Sequence, residues 1–136
     1  MKKLTALFGA GALAVAIAAH GVQAEEHHVK AELVPVGGSG VSGFVQLVQM
    51  PDGGTRIQVM ARGLSSSETY VSLYYDNHVC ALDPYSEEDV IGTYSGNAAG
   101  NGRANGEADD DLDEINSVSV RRASDFSLLA CADVHP

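Results

Sequence analysis

Two cysteines, five histidines and a run of alternating aspartates carry the side chains with most capacity for chemistry in this chain. Cys80 ends the stretch Asp76-Asn77-His78-Val79-Cys80, and Cys131 lies in Leu129-Ala130-Cys131-Ala132-Asp133-Val134. In a reducing compartment two such thiols would be candidate nucleophiles or metal ligands. In an exported chain, which this one resembles at its N-terminus, the pair reads as a disulfide. Glu25-Glu26-His27-His28 offers a second chemistry. If a leader is removed after Ala24, His27 becomes the third residue. The free amine, two deprotonated amides and the imidazole then suit a square-planar Cu(II) or Ni(II) ion, with His28 axial. A polar N-terminus with incidental histidines is the plainer reading and is preferred, because cleavage one residue away abolishes the motif. His78 and Asp76 would need a third ligand, with His135 the candidate, to hold a metal. A loop whose Asp and Asn make turn hydrogen bonds is preferred. Asp109, Asp111 and Asp113 alternate as calcium-loop ligands do, but the central Gly is missing and the twelfth position is Val120. A solvated charge run accounts for them better. Neither a nucleophile-base-acid set nor a phosphate-cradling loop emerges, so no catalytic residue is assigned.

The first 24 residues frame these groups. Lys2 and Lys3 precede an apolar run through Ala19, and Val22-Gln23-Ala24 places small residues at −3 and −1. That is the pattern of a cleavable signal peptide over residues 1–24. The apolar run is short of the ~20 residues a membrane span requires, and no second one follows. The expected address is the periplasm or the exterior of a bacterium, with no membrane span after processing. Cleavage leaves 112 residues, enough for one domain with its own core. Losing Lys2 and Lys3 from eight basic residues, against 18 acidic ones, takes the formal net charge from −10 to −12. Such a surface disfavours nucleic acid and anionic lipid as partners.

Beyond the leader, short alternating apolar runs punctuated by glycine predict an all-β fold. Strands are expected at residues 29–36, 41–49, 55–62, 69–76, 90–95, 102–108, 116–122 and 126–132. Pro51-Asp52-Gly53-Gly54, residues 97–102 and Gly37-Gly38-Ser39-Gly40 carry turn chemistry. Val45 and Leu47, Ile57 and Val59, Val71 and Leu73, and Val118 and Val120 each mark one apolar strand face. Strands of this kind require a second sheet to cover them. Residues 25–30 are expected to be a flexible segment and 31–136 the folded domain.

Three passages in order resemble the copper/zinc superoxide dismutase superfamily: Gly38 to Val45 as a glycine-rich turn into a strand, Ala61-Arg62-Gly63-Leu64-Ser65 as a Gly-Leu-Ser turn, and Ser119-Val120-Arg121 followed by Leu129 to Val134 as a closing hairpin. The resemblance implies a Greek-key β-sandwich or flattened barrel of about eight antiparallel strands. It also implies that Cys80 and Cys131 are the family's intrachain disulfide. The same alignment loses the metal site. The His-x-His positions fall on Ser72 and Tyr74, the last copper histidine on Arg121, and the superoxide-guiding guanidinium on Leu128. Residues 81–92 contain no histidine to bridge two metals. A weaker resemblance, to chordin-type repeats, rests on Gly92-Thr93-Tyr94-Ser95-Gly96-Asn97.

The sequence therefore predicts an exported, non-catalytic, dismutase-like β-sandwich that binds or braces something in the cell envelope. Its partner would be an unidentified envelope protein or small ligand, met on the face around Ser72, Tyr74 and Arg121. No cofactor is expected. The alternatives are a copper/zinc-binding dismutase or copper-handling protein using His27, His28, His78 and His135, with copper at the mature N-terminus, and a chordin-repeat-like adhesion module.

Overall fold

A computed structural model describes residues 27–82 and 87–136. The segment 1–24, expected to be a signal peptide, lies outside the described residues together with Glu25 and Glu26. Eight strands follow in order: β1 (His28–Pro35), β2 (Ser42–Gln49), β3 (Thr55–Arg62), β4 (Thr69–Tyr75), β5 (Val90–Ser95), β6 (Gly102–Ala108), β7 (Ser117–Arg122) and β8 (Leu128–Asp133). Two single turns of 3-10 helix, Glu87–Asp89 and Leu112–Glu114, are the only helical elements among the described residues. All seven ladders are antiparallel, in the order β5-β4-β7-β8-β1-β2-β3-β6. The outer strands β5 and β6 come back to each other, so the sheet is a nearly closed barrel. Gly106 shows how close they run, since a Cβ there would sit 2.5 Å from the Ile91 carbonyl oxygen.

Strand β1 joins the two halves. His28 to Leu33 pair with β2, and Val34 and Pro35 pair with β8. Proline donates no hydrogen bond, which fits a ladder only two residues long at that corner. Residues 28–30, expected to be flexible, belong to this strand: the ladder to Val48, Leu47 and Gln46 fixes them.

The turns form where glycine and proline permit them. Met50 and Gly54 close the β2–β3 hairpin, the Met50 amide donating to the Gly54 carbonyl at 2.9 Å. Asn97 closes the β5–β6 turn: its amide donates to the Asn101 carbonyl at 2.8 Å, and its Oδ1 accepts from the amides of Ala99 and Asn101. At β8 the strand starts at Leu128, two residues later than its apolar pattern suggests. Phe126 takes a positive φ of 61° and its amide turns back to the Arg122 carbonyl, so the chain is still in the hairpin there.

The barrel interior holds Leu33, Val45, Leu47, Ile57 and Val59 from one half and Ile115, Val118, Val120, Ala130 and Ala132 from the other, all 2 % exposed or less. Each buried aliphatic side chain of this size contributes roughly 1.5–3 kcal/mol relative to exposure. A second, smaller cluster lies outside the barrel wall, where Val71, Leu73, Tyr75 and Cys80 meet Leu82, Val90, Phe126 and Leu128. Strands β4 and β7 are accordingly buried on both faces. That overturns one expectation: Val71 and Leu73 mark the outward face of β4, while Ser72 and Tyr74 point inward.

Gly43 shows how tightly β2 and β3 meet. Its φ is +138°, and a Cβ added there would collide with the Met60 carbonyl oxygen. Gly43→Ala is expected to cost about 3 kcal/mol, read as a lowered urea midpoint with an unchanged m-value.

A candidate functional site on the disulfide-braced face

Strict alternation along β7 puts Ser117, Ser119 and Arg121 on the outward face and Val118 and Val120 inside. Cross-strand register sets Ser117 beside Tyr75, Ser119 beside Leu73, and Arg121 beside Val71. The segment after β4 then folds back over this face. It is held there by the Cys80–Cys131 disulfide, with S–S 2.06 Å and Cα–Cα 6.1 Å, closing a separation of 51 residues. A link closing a loop of that length stabilises by about 4 kcal/mol in the chain-entropy account.

Arg121 organises the covered face. It is 7 % exposed. Its Nε donates to the Tyr75 hydroxyl at 3.0 Å, Nη1 to the Phe126 carbonyl at 2.6 Å and Nη2 to the Cys80 carbonyl at 2.7 Å. The Tyr75 and Ser119 hydroxyls share a hydrogen bond of 2.7 Å. Ser117 donates to the Asn77 carbonyl at 2.6 Å and accepts the Cys80 amide at 3.2 Å. Cys80 is thus held by its sulfur, carbonyl and amide in a left-handed conformation, φ 58°, that a non-glycine residue adopts at some cost. One guanidinium fork bridges three separate chain segments here, which a lysine cannot copy.

The remaining predicted site residues are scattered. Ser72 and Tyr74 lie on the inner face of β4, where the Ser72 hydroxyl bonds to that of Tyr94 at 2.6 Å. They share no face with Arg121 and Leu128, so the pocket expected around Ser72, Tyr74 and Arg121 does not form. His78 Nδ1 is 2.8 Å from Asp133 Oδ1, both side chains half exposed. That partner was not foreseen, though strand alternation in β8 puts Asp133 on the same face as Cys131. His135 bonds through Nε2 to the Leu112 carbonyl at 3.0 Å, and it forms no group of converging ligand atoms with Asp76 and His78. It shares an open groove of about 330 Å3 with His27, Gln49, Asp111 and Asp113. His28 lies on the outer face of β1.

Asp111 is a structural acceptor. Its Oδ1 takes the Gly54 amide at 2.8 Å and Gln49 Nε2 at 3.0 Å, and these bonds hold its carboxyl below the usual range. Among the described residues, the only group of three or more potential ligand atoms within 4.8 Å of one another comprises Asp111, Asp113 and Glu114, all exposed. It contains no histidine.

Acidic groups crowd one end of the barrel. Burial raises the Tyr74 hydroxyl from about 10 to about 12, and the nearby Asp110, Asp89 and Asp109 add to the shift. Lost hydration, then Glu114 and Asp89, raise the Asp110 carboxyl as well. Burial also takes Tyr94 to about 12, against the lowering effect of its bond to Ser72.

No protein-family model matches the sequence, and no curated protein matches it.

Two measurements probe this geometry. Arg121→Lys is expected to lose about 3 kcal/mol of stability with the disulfide intact, because buried carbonyls lose their donors; equilibrium urea unfolding reads it. For the tyrosines the sign is fixed by linkage. Both hydroxyls are neutral in either state below pH 10, and the unfolded chain ionises first above it. Stability is therefore lost as pH rises from about 10 through about 12. Absorbance at the phenolate band should show two tyrosines ionising late, together with unfolding, and Tyr94→Phe should remove one of them.

Proposed function

We propose that this chain is an exported, non-catalytic binding or bracing module of the cell envelope, built on a dismutase-like Greek-key scaffold that lacks the histidine cage. The strand order supports the scaffold. Read through the β5–β6 seam, β7 lies beside β4 at the end of β4-β5-β6, which is a Greek-key connection. The disulfide joins the segment after β4 to the last strand, as the resemblance implies.

The observation that carries the non-catalytic reading is the filling of the outward face of β4 and β7. Residues 70–75 read Tyr, Val, Ser, Leu, Tyr, Tyr, so neither strand face offers an imidazole, whichever register is chosen. Opposite them, Arg121 brings a permanent cation whose donors are committed to protein oxygens. Copper and zinc sites of the dismutase kind need several neutral imidazoles converging on one point. Cations, hydroxyls and aliphatic side chains do not fit either ion.

What the arrangement does is brace: it locks an irregular segment onto a sheet and leaves the opposite wall of the barrel open to solvent. Metal analysis of untagged, processed protein together with a superoxide dismutation assay tests the reading. Substoichiometric copper and zinc with no activity are expected. Stoichiometric copper or zinc with dismutase activity would overturn it, and would point to His27, His28, His78 and His135 as the ligands to mutate.

A further inference from the structure

We infer that the groove between β2, β3 and the β5–β6 turn binds a small organic carboxylate with an apolar body. The inference concerns the wall away from the disulfide and stands independently of the scaffold's ancestry. Four of the six lysines and arginines among the described residues, Lys30, Arg56, Arg62 and Arg103, fall on the outward face of β1, β2, β3 and β6. Only Glu32 and Glu107 are acidic on that face. The chain as a whole carries 18 acidic residues against eight basic ones, so this wall is a local reversal of sign.

Three of the four cations, Lys30, Arg62 and Arg103, have no counter-charge within 4.0 Å among the described residues. Arg56 meets Glu107 at 3.5 Å. The contacts of Arg62 and Arg103 are long and neutral: Arg62 Nη2 to the Ser42 hydroxyl at 3.5 Å, and Arg103 Nη2 to the Met60 sulfur at 3.9 Å. In a protein so rich in carboxylates, two guanidiniums of this kind on one groove form a receptor for an external anion. A guanidinium fork matches a carboxylate with two parallel hydrogen bonds.

The groove itself has a volume of about 520 Å3, within the range of small-molecule sites. Phe44 and Met60, both half-buried, give it an apolar surface; Arg62 and Arg103 line it, and no acidic residue does. Asn97 stands at its rim. Its Oδ1 is committed to the turn amides, which leaves the NH2 end free to donate. Lys30 Nζ sits 4.3 Å from the centroid of the Phe44 ring, adding a third cation beside the same surface. An apolar patch ringed by cations selects a ligand that is apolar along its length and anionic at its head. The acidity of the remaining surface repels long polyanions, so the ligand is compact.

NMR titration of the 15N-labelled processed chain with octanoate, octan-1-ol, sodium sulfate and an acetylated tetraglutamate peptide tests this. Octanoate should bind at least tenfold more tightly than each of the others and shift the amides of Ala61, Gly102 and Arg103. Arg62→Gln and Arg103→Gln should each weaken octanoate binding about tenfold, the weight of one charge-assisted pair. Arg56→Gln removes the same charge from the same wall outside the groove and should leave binding unchanged. All three side chains are exposed, so the fold tolerates the changes. Four results would overturn the inference: no octanoate binding, octan-1-ol equal to octanoate, sulfate or the peptide equal to or tighter than octanoate, or Arg56→Gln as damaging as the other two. Metal content and dismutase activity are untouched by any of these outcomes, so failure here is separable from failure of the scaffold reading.

Discussion

A barrel wall covered on both sides depends on whatever holds the cover in place, and here that is the clamp on Cys80. Irregular backbone lying on a sheet brings carbonyl and amide groups into a dry layer, where an unmet group costs roughly 1–3 kcal/mol. The disulfide alone fixes only a sulfur. Arg121 and Ser117 satisfy the carbonyl and the amide of the same residue, and Arg121 reaches on to the Phe126 carbonyl in the neighbouring hairpin. The covalent bond and the guanidinium are therefore complementary. One limits how far the segment strays in the unfolded chain, and the other removes the penalty for burying it. With both in place, Val71, Leu73 and Tyr75 gain a second core outside the barrel.

This double covering also explains how much of the molecule was legible beforehand. Positions of the eight strands follow from short apolar runs and from turns with a mechanism, such as Pro51 to Gly54 and Asn97 to Gly100. Strands β2 and β3, with one face in water, present Val45 and Leu47 or Ile57 and Val59 in plain alternation, and the inward face is read correctly. Strand β4 defeats the same rule. Every residue from Tyr70 to Tyr75 is buried, so hydrophobic alternation no longer distinguishes inside from outside. Aliphatic Val71 and Leu73 look like core and pack beneath the loop, while Ser72 and Tyr74 look exposed and point inward with their hydroxyls bonded. An error of face at β4 propagates to the site, because Arg121 sits opposite Val71 and not opposite Ser72. No local signal in β4 corrects it. The partner strand does: Ser117, Ser119 and Arg121 share a face that only a polar-lined cover tolerates.

Charge is as unevenly distributed as burial. Around Tyr74 and the turn before β7, burial raises both the Asp110 carboxyl and the Tyr74 hydroxyl, and neighbouring carboxylates add to it: Glu114, Asp89 and Asp109 at Asp110, and Asp110, Asp89 and Asp109 at Tyr74. One residue along, Asp111 escapes because two donors, the Gly54 amide and Gln49 Nε2, converge on it. Asp110 and Asp111 are neighbours in sequence and shifted in opposite directions, so the run is not one uniform solvated tail. Asp111 fastens the 109–114 turn to the β2–β3 hairpin, and the rest of the run tolerates the resulting crowding. The cations, meanwhile, gather on the wall formed by β1, β2, β3 and β6, and the molecule carries a charge asymmetry that its net −10 conceals.

The seam between β5 and β6 is the remaining point where the architecture has to solve a problem. Unpaired strand edges invite association with other chains. A full ladder between these two strands would remove them, but none forms. Instead the strands close by contact. Glycine at positions 92, 102 and 106 removes side chains where the partner strand arrives: a Cβ on Gly102 would lie 2.5 Å from a Leu64 methyl and 2.9 Å from the Tyr94 ring, and one on Gly92 would lie 3.3 Å from the Ala104 Cβ. The Tyr94 ring then fills the space beside Tyr70, centroids 6.2 Å apart, and its hydroxyl ties the seam to Ser72 on β4. Closure by side-chain packing in place of hydrogen bonds leaves this joint less directional than a ladder, because dispersion contacts slide where N–H···O bonds do not. The groove lined by Phe44, Met60 and Arg103 ends at the turn of this joint. At that end backbone takes over from side chains: the Asn97 amide donates to the Asn101 carbonyl at 2.8 Å and the Leu64 amide to the Gly100 carbonyl at 3.0 Å, so the joint is most firmly fixed where the groove ends.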